Sequence, residues 1–307
     1  MSSTLETRHL RLVLALAEAG GPTRAAARLH LSQSAVSHQL AELEARLGLS
    51  LFNRVRRRLE LTAAGQRLLE FSRVTLAEFA RVERELQRAG SQRRELLRLS
   101  TECFTCYHWL PAVLPELRRD HPTVDVRIVI EATKNPIAAL LEGKLDLAIV
   151  SAPVRDRKLI HERLFDDEWV VLLPLGHRLA TRRFIAAAEL AGQPLFTHDG
   201  NRRDVVRLRA RLAAERAPTP DVQVVPLTEA IVELVAAELG LALVSRWAVA
   251  PHEASGRIVV RRFTRAGLKE RWSAVYRRDD VDRLPLARFA ELLRTRPPGP
   301  GRRAKSR

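Results

Sequence analysis

The sequence predicts an N-terminal all-α winged helix-turn-helix, a long helix behind it and a C-terminal α/β domain. Three observations carry this: two short amphipathic helices joined by a turn between Thr23 and Leu47, an apolar seam from Leu68 to Leu86, and strand–helix alternation from Leu97 onward.

Residues Arg8 to Ala19 read as a first helix, with Leu10, Val13, Leu14 and Ala17 on one face. Gly20-Gly21-Pro22 ends it. Thr23 can cap a short helix from Arg24 to His30, and Ser32 a second one, in which Val36, Leu40, Leu43 and Leu47 form a stripe facing the first. Gly48 closes that helix, as a left-handed C-cap would. The face left over near its start carries Gln33, Ser34, Ser37 and His38, groups that can reach base edges from a recognition helix in the major groove. An ordinary solvated amphipathic helix is the alternative, but it explains neither the turn nor the polar tip.

Leu51 to Thr62 places Arg54, Arg56, Arg57 and Arg58 between apolar brackets, a pattern for a two-stranded wing whose arginines lie against phosphates. Thr62 then caps a helix running to about Ala89. Leu68, Phe71, Thr75, Phe79, Val82 and Leu86 recur along it at near-heptad spacing, so a second copy of the helix is the economical partner.

From Leu97 the pattern becomes strands at 97–100, 124–130, 145–150, 169–173, 195–196, 222–225, 241–245, 258–263 and 272–276. Helical patterns alternate with them: a face of Trp109, Leu110, Val113, Leu114 and Leu117, then 137–142, 202–216, 229–239 (capped by Thr228) and 284–293. This rhythm predicts a mostly parallel sheet with helices on its faces. Ligands of such sheets settle where strand ends meet helix starts. The loops due there carry Thr101, Glu102, Cys103, Thr105, Thr133, Ser151, Thr197, Asp199 and Thr228. Hydroxyls and free backbone N–H groups suit a small carboxylate, while Glu102 or Asp199 could meet an α-ammonium.

The formal charge of +16 on 307 residues favours a polyanionic partner. No apolar run is long enough to span a bilayer and no signal peptide is visible, so a cytoplasmic location and no membrane partner are expected. Two cysteines make no disulfide framework, which agrees with a reducing compartment.

The run Thr23-Arg24-Ala25-Ala26-Ala27-Arg28-Leu29-His30-Leu31-Ser32-Gln33-Ser34-Ala35-Val36-Ser37, continued by Gln39 to Glu44 and Leu51-Phe52-Asn53-Arg54, resembles the signature of LysR-type transcriptional regulators. Ser34 stands where their usual proline is. The resemblance implies a winged helix-turn-helix over 1–62, a linker and dimerisation helix over 63–91, and an effector domain over 92–296. That domain would be two Rossmann-like subdomains resembling periplasmic binding proteins, about 92–163 with 267–296 and about 164–266, before a disordered basic tail at 297–307. It also implies double-stranded promoter DNA as partner, with Thr23, Arg28 and Ser32 joining the DNA-facing set, and a homo-oligomer: a dimer through the linker helix, assembling to a tetramer, with RNA polymerase as a further contact.

Thr101 to Pro111 contains Glu102-Cys103, Cys106 and Trp109-Leu110, and is similar to the matching segment of methionine-biosynthesis regulators, as is Ser37-His38-Gln39. That likeness implies homocysteine as coeffector, the alternative being a regulator of a different small anionic metabolite. Cys103 would then sit beside the ligand's sulfur, with Thr101 and Thr105 toward its carboxylate. A nearby helix N-terminus would favour the thiolate at Cys103 or Cys106, against the weightier reading that both are packed hydrophobes. No catalytic residue, cofactor or metal is expected: phosphate-loop, zinc-protease and nucleophile-elbow patterns are missing, and Cys103, Cys106 and His108 lack a fourth zinc ligand nearby.

Overall fold

A computed structural model describes residues 5–55, 58–89, 95–103, 107–151, 153, 156–198, 202–253 and 255–298. The chain forms two compact units, one built on Met1–Gln92 and the other on Arg93–Leu140 with Leu145–Arg307.

The first unit runs α1 (Thr7–Ala19), α2 (Pro22–Leu29), α3 (Gln33–Leu47), β1 (Phe52–Val55), β2 (Arg58–Leu61) and α4 (Ala63–Ala89). Helix α2 starts earlier than expected: Pro22 takes the first helical position, where its missing N–H costs nothing, and Gly21 rather than Thr23 is the cap. The other signals act as read. The Ser32 hydroxyl accepts the Ala35 N–H, and Gly48 ends α3 in the left-handed region at φ 68°. Val36 and Leu43 are fully buried against Leu12, Val13, Leu16 and Ala25, while Leu40 and Leu47 pack at the margin. Burial on that scale stabilises by about 1.5–3 kcal/mol per side chain. Strands β1 and β2 pair antiparallel, Phe52 opposite Leu61 and Val55 opposite Arg58. The Thr62 hydroxyl accepts the Gly65 N–H at the start of α4. Any side chain at Gly65 would meet the Leu51 carbonyl oxygen at 2.0 Å, so the helix can leave the wing there only with glycine.

In the second unit come β3 (Glu95–Thr101), α5 (Leu114–Asp120), β4 (Val124–Ile128), α6 (Pro136–Leu141), β5 (Leu147–Val150) and β6 (Leu159–Pro174). Then follow β7 (Phe184–Ile185), β8 (Pro194–Thr197), α7 (Arg202–Ala214), β9 (Asp221–Val224), α8 (Thr228–Ala236), β10 (Leu241–Ser245), α9 (Arg246–Glu253), β11 (Ile258–Phe263), β12 (Leu268–Arg277) and α10 (Leu284–Thr295). The sheet order is β4-β3-β5-β12-β6-β10-β8-β9, with β11 on β6 and β7 on β11. It is mixed rather than mostly parallel. Pairs β3–β4, β3–β5, β8–β9 and β8–β10 are parallel, whereas β6 and β12 run antiparallel to each other and to their neighbours β10 and β5.

Other departures have local causes. The single helix expected around Trp109 to Leu117 is a 3-10 turn, Leu110–Ala112, and then α5, because Pro111 and Pro115 each open a new segment. Strand β6 begins ten residues before the expected 169, and α9 lies where no helix was read. Thr228 is the first residue of α8, not its cap; that position is Leu227. Gly240 is wanted for closeness, since a Cβ there would lie 2.6 Å from the Pro194 carbonyl oxygen. Most of the tail at 297–307 lies outside the described residues.

A charged cluster fastens α10 to the sheet. Asp146, 1 % exposed, accepts the Arg98 N–H at 2.8 Å and the Arg98 guanidinium at 2.9 and 3.0 Å, and Arg283 reaches it at 3.0 Å. Arg283 also binds Glu95 at 2.8 Å. Burial alone would raise the Asp146 carboxyl, but the Arg98 hydrogen bonds and the charges of Arg98 and Arg283 overcome it and hold the group well below the usual carboxylate range. Asp146→Asn should therefore cost roughly 3–5 kcal/mol, by leaving buried arginines unpaired. Because the pKa is lowered on folding, this contribution is complete above the unfolded value of about 3.9 and fades as pH falls below it. Urea unfolding of both proteins checks this: the gap should shrink as the pH falls from about 4 toward 2, and a constant gap would contradict the account.

Candidate nucleic-acid interface and effector cleft

On α3, Ser32, Gln33, Ser34 and His38 are exposed and Ser37 is half-buried. Ser32 and Ser34 share a hydroxyl contact of 2.9 Å, so the start of the helix offers a short row of ordered polar groups. Thr23 is exposed on the first turn of α2. Arg28 is exposed as well, but its guanidinium is paired with Glu18 of α1 at 2.6 Å, an exchangeable contact at that exposure. Arg54 and Arg58 stand on β1 and β2, with their side chains outside the description, and Arg56 and Arg57 fall outside the described residues.

Glu44 is a residue that the sequence reading missed. From the middle of α3 its carboxylate accepts the backbone N–H of Leu51 at 2.6 Å and of Phe52 at 3.1 Å. The helix thereby fixes where the wing begins. The available signal was an acid beside buried Leu43, on the side of α3 that faces protein.

In the second unit the chain bends after β3, where the Thr101 hydroxyl donates to the Cys103 carbonyl at 2.7 Å and accepts the Cys103 N–H at 2.9 Å. Cys103 Sγ lies 3.8 Å from the Thr228 hydroxyl, which is 2.9 Å from His198 Nε2. Residues after β3, after β8 and at the start of α8 thus meet at one point. Burial drops the His198 imidazole to about 4, so it is neutral at pH 7. His198 was passed over as a site residue in favour of its neighbours. Thr197, buried, ends β8 just before it.

Glu102 turns to Ser151, accepting its N–H at 2.9 Å and its hydroxyl at 3.0 Å, so this carboxylate ties the end of β3 to the end of β5. Thr133 is buried, its hydroxyl 3.4 Å from that of Ser100. Thr105, Cys106 and Asp199 lie outside the described residues.

The cysteine expectation needs correction. Cys103 is buried and disulfide-bonded, not a free thiol. Further along the chain come the 3-10 turn at Leu110–Ala112 and the seven-residue α5 with Glu116 in its first turn, not a long helix whose positive end could draw out a thiolate. Among the described residues no group of three or more His, Cys, Asp or Glu could hold a metal ion, and no helix is long and apolar enough to cross a membrane.

Known proteins share both units. Residues 7–66 match the bacterial regulatory helix-turn-helix protein of the lysR family, and residues 90–298 match the LysR substrate binding domain. The chain belongs to the LysR family of transcriptional regulators. It is 32 % identical over 291 residues to the HTH-type transcriptional regulator MetR of Haemophilus influenzae, covering 95 % of this chain and 94 % of that protein. The Escherichia coli K12 MetR is 32 % identical over 286 residues, covering 92 % and 87 %. Among solved structures, the regulatory domain of MetR from N. meningitidis superposes with a TM-score of 0.57 at 31 % identity, covering 66 % of this chain and 93 % of that one. Full-length OxyR C199D from Pseudomonas aeruginosa shares the fold, with a TM-score of 0.60 at 24 % identity, covering 99 % and 100 %. These relatives are regulators, not enzymes, and this chain is a DNA-binding transcriptional regulator.

Removing the Glu44 carboxylate leaves two wing amides without their acceptor, at a cost of about 1–3 kcal/mol each where water cannot replace it. Hydrogen exchange in Glu44→Ala should show the Leu51 and Phe52 amides deprotected while Val36 and Leu43 keep wild-type protection. Full protection at Leu51 and Phe52 would show that Glu44 does not anchor the wing.

Proposed function

We propose that this regulator controls methionine-biosynthesis genes and takes homocysteine as its coeffector. The observation that carries the reading is the convergence of Cys103, Thr228 and His198, in a chain aligned with MetR proteins over nearly its full length. In this reading Gln33, Ser34, Ser37 and His38 meet base edges, and Thr23, Arg28, Ser32 and the arginines of the wing meet phosphates. Phe71, Val74, Phe79, Val82 and Leu86 are exposed along α4. A second copy of the helix covers them, pairing two recognition helices on one face of the duplex. The protein works in the cytoplasm.

The chemistry of the cleft favours a small amino acid that carries sulfur. A half-cystine sulfur, a hydroxyl and a neutral imidazole make a soft, uncharged floor, suited to a thiol or thioether rather than to a second carboxylate. Thr197, at the end of β8, supplies a hydroxyl for the polar end of the ligand, the Thr101 and Ser151 hydroxyls being donated to the Cys103 carbonyl and to Glu102. A different small anionic metabolite remains the competing ligand.

Calorimetry with homocysteine, methionine and homoserine tests the assignment on wild type and on Thr228→Val, which keeps the side-chain shape and removes the hydroxyl. Homocysteine should bind best, and Thr228→Val should weaken it about tenfold, the value of roughly one hydrogen bond. Equal affinity for homocysteine and homoserine, unchanged by Thr228→Val, would contradict the reading.

A further inference from the structure

Strand β6 passes from one hydrophobic core into the others. Leu164 and Phe165 pack with the cluster around Trp109 and Phe289, while Trp169 to Leu173 pack in the clusters around Phe263 and Val244. Between them the strand carries three carboxylates in a row, Asp166-Asp167-Glu168. Side chains alternate along a strand, so Asp166 and Glu168 leave one face and Asp167 the other. Arginines meet the first two: Arg163 and Arg271 pair with Asp166, and Arg246 and Arg262 with Glu168, the last at 2.9 Å.

Asp167 faces a different neighbour. The register sets Glu270 of β12 directly opposite it, and Glu270 is only 6 % exposed. Two residues along the same face, Phe165 and Trp272 stack at 6.2 Å, and Trp247 meets both at 5.4 and 4.9 Å. The acid pair therefore borders an aromatic cluster. Asp167 accepts the backbone N–H of Trp247 at 3.3 Å, and Glu270 accepts the Ser245 hydroxyl at 2.7 Å.

We propose that Asp167, set opposite the Glu270 carboxylate and beside apolar rings, keeps a proton in the folded chain where β6 passes from one core to the next, so that the stability of the fold depends on pH. Two carboxylates facing each other beside apolar rings do not both ionise without cost. Burial pushes the Asp167 carboxyl up to about 7, and the charge of Glu270 adds to this. The N–H groups of Glu168 and Trp247 and the charge of Arg246 from α9 act in the opposite sense. The folded value is raised above the ordinary one of about 3.9, so the folded chain keeps a proton that the unfolded chain has lost. The stabilisation is full below about pH 4, falls as pH rises toward 7 and is flat above it.

Tryptophan fluorescence of the full chain reads this directly, because Trp247 and Trp272 adjoin the pair. Wild type should show a step with a midpoint near pH 7. Asp167→Asn, which keeps a donor but has no proton to lose, should abolish the step. Glu270→Gln should move it down, as expected when a like charge is removed. His108 also lies against Trp247, at 5.9 Å. Its own pKa is lowered by burial and by His252, with Glu229 opposing, so His108→Gln is the control and should retain the step. The melting temperature of Asp167→Asn relative to wild type should rise by several degrees between about pH 5 and pH 8. A step that survives Asp167→Asn, or vanishes in His108→Gln, would overturn the proposal, as would a pH-independent gap in melting temperature.

Discussion

β6 and β12 run side by side through the second unit, and its separate hydrophobic cores pack on this ladder. Leu159 to Phe165 pair with Arg277 to Trp272, and the pairing continues from Asp166–Arg271 to Trp169–Leu268. On one side β5 is added to β12 at Ser273 to Val275; on the other, β10 and β11 are added to β6 between Trp169 and Pro174. The register shifts between Trp272 and Ser273, close to where the chain leaves one core for the other. Such a shift adds local twist and bend. Charged side chains gather on this short segment of two strands.

Cys103 belongs to the half built on β3, β4 and β5, while Thr228 and His198 belong to the half built on β8, β9 and β10. A molecule bound among them touches both halves, and its binding free energy is available to shift their angle only as far as it prefers one arrangement over another. The contacts already present are neutral and short. Charge close by is held by Glu102, bound to Ser151, and further off by the Asp146 cluster under α10 and the ion pairs at the crossing.

The first unit was legible in the sequence because its signals are local. Ser32 and Gly48 each act within four residues of their position, Thr62 caps α4 through the Gly65 N–H while also reaching back to the Ser50 carbonyl, and Val36 and Leu43 follow helical periodicity. The antiparallel pairing of the crossing strands was not legible. Asp166-Asp167-Glu168 interrupts the apolar run of β6, so the strand was read only from 169, and the partners Arg246, Arg262 and Arg271 lie far along the chain. The cleft was legible in outline only. Strand ends and hydroxyls pointed to Thr101, Thr197 and Thr228, but the part played by His198 depends on a contact thirty residues away, and the disulfide at Cys103 removed the free thiol that a CxxC suggests. Thr228, expected to cap its helix, turns its hydroxyl toward Cys103 and His198 instead.

The central claim is that one molecule joins promoter reading by α3 to a homocysteine-responsive cleft. Footprinting purified protein on the DNA upstream of its own gene, with and without homocysteine, tests it most directly. The account predicts protection of two half-sites on one face of the duplex, whole helical turns apart, and a protected region whose extent or affinity changes when homocysteine is added. A single half-site, or protection identical with and without homocysteine, would contradict it.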